Sequence, residues 1–172
     1  MAGSLLCGFP AMPGNVEAAT MTVSSTLLAT LTANGALSTP ASATLTHSGT
    51  IFNAFSGTVT LQYRARTTAA GGGTMTLKVI QDFQTGGPSA AAGDLTYSCG
   101  AAGLGTACSS STASTSSATS VVVLPTSACT GGGAPCSGAD PNSVSVTFTL
   151  ADRPTVKTGT YTANVQFTIS AT

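Results

Sequence analysis

The sequence predicts an all-β chain, an immunoglobulin-like sandwich of two antiparallel sheets with about eight strands. Three observations lead there. Apolar side chains alternate with Ser and Thr along several segments, no long stretch repeats with helical period, and Gly, Pro and Asn clusters punctuate the alternating segments. Thr and Val, both plentiful, suit a pleated and half-buried surface.

The strands can be justified in chain order. From Ala19 to Ala33 the odd positions are mostly apolar and, Leu28 apart, the even ones Ser or Thr. That alternation spans roughly 50 Å at ~3.3 Å per residue, against ~5–6 residues for an ordinary strand. Either the segment bends near Ser24-Ser25 and changes sheets, or part of it reaches beyond its own domain. Asn34-Gly35 reads as a turn. A strand over Ala41–His47 follows, with Leu45 inward. In Thr58–Arg66, Val59, Leu61, Tyr63 and Ala65 share one face, and in Thr74–Phe83 so do Met75, Leu77 and Val79. With Gly71-Gly72-Gly73 between them, these two read as a hairpin. Leu95-Thr96-Tyr97 is a short strand. Residues 109–120 are a Ser/Thr-rich, low-complexity stretch, expected to be a surface loop and a candidate for O-glycosylation. Val121–Leu124 is a continuous apolar run suited to a central strand. The last two strands carry Val144, Val146, Phe148 and Leu150, then Tyr161, Ala163, Val165, Phe167 and Ile169.

Composition narrows the function classes. At 172 residues the chain suits one sandwich domain over residues 19–172, preceded by a leader. Charged residues make up only 6 %, and the net charge is zero. A nucleic-acid partner requires a field of Lys and Arg; Arg64, Arg66, Lys78, Arg153 and Lys157 are too few and too scattered. The 42 % hydrophobic content argues against disorder.

Residues 1–18 read as a truncated secretory signal peptide. An apolar stretch runs from Ala2 to Met12, and Val16-Glu17-Ala18 places small residues for cleavage after Ala18. The basic start is missing, as it would be if Met1 lay inside a longer leader. No apolar run reaches the ~20 residues a membrane span needs. Cleavage would remove Cys7 and leave Cys99, Cys108, Cys129 and Cys136, an even number suited to disulfides in an oxidising, extracellular compartment. Three pairings exist; the most local joins Cys99 to Cys108 and Cys129 to Cys136. Zinc is the weaker reading, since the spacings are wrong and His47, the single histidine, is distant in sequence.

Little suggests catalysis or a cofactor. His47 falls on the Leu45 side of its strand and reads as partly buried. Asp82, Asp94, Asp140 and Asp152 stand apart in sequence, no G-x-S-x-G nucleophile motif occurs, and Asp140-Pro141-Asn142 reads as a turn before it reads as a calcium loop. Tyr63, Phe148, Tyr161 and Phe167 fall on core faces, which leaves few aromatic platforms for a sugar.

Gly159–Ile169, the alternating segment GTYTANVQFTI, resembles the last strand of bacterial secreted immunoglobulin-like subunits, the spore-coat-U-like and chaperone–usher pilus families. The resemblance covers that strand and the Thr-rich, charge-poor style. It implies a structural subunit that forms a homopolymer by donor-strand exchange, with a periplasmic chaperone as partner. The segment from Ala19 has the pattern of a donor strand, and Met21, Val23, Leu27 and Leu31 are the candidate assembly residues. An ordinary first strand that bends between sheets accounts for the same pattern. A monomeric secreted module binding glycan or protein is the alternative function.

Overall fold

A computed structural model describes residues 34–38, 42–47, 49, 52–67, 71–126 and 142–172. The chain divides into Met1–Leu31 and Thr32–Thr172, and every described residue belongs to the second unit. That unit is an all-β, two-sheet antiparallel sandwich.

Nine strands lie among the described residues: β1 (Asn34–Leu37), β2 (Phe55–Arg66), β3 (Gly73–Gln81), β4 (Leu95–Cys99), β5 (Thr106–Ala107), β6 (Ser110–Thr112), β7 (Thr119–Leu124), β8 (Asn142–Leu150) and β9 (Asn164–Ala171). One sheet has the order β1-β2-β8-β4-β6 and the other β5-β7-β3-β9. From β2 onward every connection changes sheet. The expected hairpin of β2 with β3 is therefore corrected. Gly71–Gly73 leads from one sheet to the other, and β3 pairs with β7 and β9 instead. Inward alternation on two facing sheets reads the same in sequence as alternation on two paired strands.

Between the sheets lies the core. Leu61, Tyr63, Met75, Leu77, Val79, Val144 and Val146 are each at most 1 % exposed, and each occupies an alternate position of its strand. The continuous run in β7 has a local cause. Met75 pairs with Val122 and Thr76 with Ser120, so a bulge leaves Val121 without a partner in β3. Val121 and its neighbour Val122 are consequently both buried, whereas Val123 points outward at 46 % exposure.

Two further expectations need correction. Asn34-Gly35 is not a turn: both residues belong to β1, opposite Arg66 and Ala65 of β2. Residues 109–120 are not simply a loop. Ser110–Thr112 forms β6 on the edge of β4, Ala113 is fully buried, and β7 begins at Thr119. Ala113 N–H donates to Leu95 O at 2.9 Å, and Ser114 O accepts from Val79 N–H at 2.9 Å. A small side chain serves at Ala113 because the segment crosses between sheets there and the position is fully buried. Over 42–47 the chain follows β2 without forming a full strand, joined by reciprocal hydrogen bonds between Thr46 and Ser56.

Candidate functional site

The two lateral flanks of the sandwich differ. Along the β5 and β6 side the chain crosses between sheets three times, from β4 to β5, β5 to β6 and β6 to β7. A disulfide between Cys99, the last residue of β4, and Cys108, just after β5, joins the sheets there. This is one of the two expected bridges. Cys129 and Cys136 lie outside the described residues, as does Asp140.

The opposite flank is bounded by β1 and β9, the edge strands of the two sheets among the described residues. Val165, Phe167, Ile169 and Ala171 form the inward row of β9, yet all are only half-buried. The inward rows of β2 from Val59 to Ala65, of β3 from Met75 to Val79 and of β8 are buried by contrast. Main-chain geometry adds to this asymmetry. Thr172 N–H donates to Gly72 O at 2.8 Å, which fixes the phase of the ladder between β3 and β9. Antiparallel alternation then turns the N–H and C=O groups of Val165, Phe167 and Ile169 away from β3, toward the outer edge. Edge strands are commonly blunted by Lys, Pro or inward charges. The exposed side chains of β9 are instead Asn164, Gln166, Thr168 and Ser170, none of them charged.

On the laced flank, residues 100–107 fold over the core. Leu104 is 9 % exposed, and Tyr63, at 1 %, reaches it from β2. The Tyr63 hydroxyl donates to Leu104 O and accepts from Leu104 N–H at 3.0 Å, so one phenol satisfies both main-chain groups of one residue. Burial pushes the Tyr63 phenol above its ordinary range, and the hydrogen bond it accepts from Leu104 N–H offsets part of that rise. Gly105 permits the turn. Its φ is +88°, and a Cβ there would stand 2.6 Å from Val123 O.

Two of the acids that look isolated in sequence, Asp82 and Asp94, are brought together by the turn after β3. Asp82 accepts from Phe83 N–H, Ala90 N–H, Ala91 N–H and the Ser89 hydroxyl, at 2.8–3.2 Å. Asp94, 4 % exposed, accepts from Ser89 N–H at 2.9 Å and pairs with Arg153 Nε. Their oxygens are occupied by donors from the turn and by Arg153, which makes this cluster a clasp holding 82–94 against the start of β4. Burial pushes the Asp82 carboxyl up, but the amide and hydroxyl donors outweigh burial and hold it below the ordinary value. No group of three or more His, Cys, Asp or Glu with metal-binding spacing occurs among the described residues.

His47 is exposed, not partly buried, and its ring meets the Phe55 ring edge-on at 5.0 Å. Of the expected core aromatics, Tyr63 and Phe148 are buried, whereas Tyr161 and Phe167 are half-buried. Met21, Val23, Leu27 and Leu31, the candidate assembly residues, lie outside the described residues. Sequence reasoning did not single out the outer edge of β9; its signal was a clean alternation whose outward residues carry no charge.

No family model, curated protein or solved structure matches this chain.

Proposed function

We propose that the protein is a non-catalytic extracellular structural subunit, of a bacterial surface fibre or coat, that self-assembles by adding a strand to the β9 edge. One observation carries the reading: the inward row Val165, Phe167 and Ile169 is half-buried on a strand whose outward main-chain groups have no strand partner among the described residues. Such an edge offers main-chain hydrogen bonds for affinity and side-chain gaps for specificity, the two requirements of strand addition. The segment from Ala19 supplies the matching pattern, with Met21, Val23, Leu27 and Leu31 on one side. The Cys99–Cys108 disulfide agrees with an oxidising compartment. A periplasmic chaperone would be the partner that covers the edge before assembly.

Electron microscopy and sedimentation of wild type beside Met21→Asp and Val23→Asp test the proposal. Wild type should form filaments; each variant should lose them while keeping its melting temperature. If the variants instead melt earlier as monomers, the segment is an ordinary first strand of its own sheet. A wild-type chain that stays monomeric at high concentration contradicts the proposal outright.

A further inference from the structure

The laced flank reaches β2 through the buried Tyr63 hydroxyl, and Gly100 N–H and Gly103 N–H also donate to Ser145 O and Ser143 O of β8, at 2.8 and 3.0 Å. Cys99 and Cys108, both half-buried and separated by 9 in sequence, bracket residues 100–107. Within that segment β5 is only two residues long and lies at the edge of its sheet, so it contributes little holding power alone. Leu104 seats on the core and brackets the Tyr63 hydroxyl with its own N–H and C=O. Tyr63 is in register with Leu37 of β1, the edge strand on the far flank. Lifting Leu104 would leave a phenol hydroxyl without its partners at a position 1 % exposed. That is unfavourable until β2, and β1 with it, shifts to admit water.

We propose that the Cys99–Cys108 disulfide is a redox latch: closed, it seats residues 100–107 and holds β1 through Tyr63, and reduced, it releases the segment and loosens β1 beside the assembly flank. Its regulatory meaning rests on the assembly proposed above, since β1 and β9 bound that flank. The chemistry is thiol–disulfide exchange. A thiolate of an external dithiol attacks one sulfur of the bridge, and its second thiol resolves the mixed disulfide. Cys99 and Cys108 are left as thiols and the reagent as its disulfide, with two electrons and two protons passed to the protein. An external disulfide closes the latch by the reverse steps, so a subunit becomes assembly-competent only where such an oxidant is present.

Hydrogen exchange on the full chain, dilute and unassembled, tests the latch separately from assembly. The comparison is between the oxidised protein, the double variant Cys99→Ser with Cys108→Ser, and Tyr63→Phe with the disulfide intact. Loss of a cross-link accelerates every globally exchanging amide, and Met75, Leu77 and Val144 report that shared change. The amides of Leu104, Thr106 and Ala36, which face their hydrogen-bond partners, should gain roughly 10- to 100-fold beyond it in the Cys variant. Tyr63→Phe should accelerate the amides of Leu104 and Ala36 with the bridge still closed. Uniform acceleration throughout would make the disulfide a global staple and overturn the latch. So would a loop that loosens while β1 stays unchanged, or a loop that does not loosen at all. These results leave the strand-addition proposal standing, because no filament is involved in the reading.

Discussion

Gly35 of β1 lies against Ile169 of β9, so closely that a Cβ on Gly35 would stand 2.9 Å from Ile169 Cγ2. This contact joins the edge strands of opposite sheets, and its closeness explains why a glycine occupies a strand position that the sequence marks as a turn. Alongside it, the inward row of β9 remains half-buried.

Gly35→Val should therefore destabilise the protein by about 1–3 kcal/mol, despite the better strand propensity of Val, because the added methyls meet Ile169. Gly35→Ala should cost less. Thermal unfolding of the two variants gives the order. A stabilised Gly35→Val protein would show that Ile169 rotates away and that the contact is slack.

The Asp82 clasp predicts an acid limit. Its carboxyl is held below the ordinary value in the folded chain, so the unfolded chain binds the proton more readily. The stabilisation is fully present above the unfolded value near pH ~4 and is lost as pH falls through the folded one. Urea unfolding between pH 7 and pH 2 should show this decline in wild type, and Asp82→Asn should flatten it. An equal slope in both proteins would remove Asp82 from the account of acid stability.

At the same turn, Asp94→Ala should cost more than Arg153→Ala. Asp94 is buried and also receives Ser89 N–H, whereas the Arg153 side chain is 52 % exposed. Water can partly replace the guanidinium, so Arg153→Ala should lose ~1–2 kcal/mol, short of the ~3–5 kcal/mol for breaking a fully buried pair. Chemical denaturation of both variants settles the order, and a larger loss for Arg153→Ala would mean that the pair is effectively sealed from solvent.

Much of the fold was legible because period-two burial is a local property. Val59, Leu61, Tyr63, Met75, Leu77, Val79, Val144, Val146 and Phe148 all point inward as their alternation requires. Which strands pair was not legible. Gly71–Gly73 suits a corner between sheets as well as a hairpin, and only the long-range register of β2 with β8 and β3 with β9 distinguishes them. Composition misled at 109–120, where Ala113 fills the core with the smallest apolar side chain and β6 consists of Ser and Thr. The Asp94–Arg153 pair joins residues far apart in sequence, and no local pattern announces it. Spacing left three cysteine pairings open, and the Cys99–Cys108 bridge belongs to the most local of them.

Strand addition at β9 is the central claim, and hydrogen exchange of the outward-facing amides of Val165, Phe167 and Ile169 tests it most directly. They should exchange freely in dilute monomer and become protected as concentration rises and filaments form. The same experiment on Gln166→Lys with Thr168→Lys, which places charges along the edge without touching the core, should show neither filaments nor protection. Amides already protected in the dilute monomer, or still exchanging freely within wild-type filaments, would contradict the account, because β9 would then not be the edge at which a second copy adds its strand.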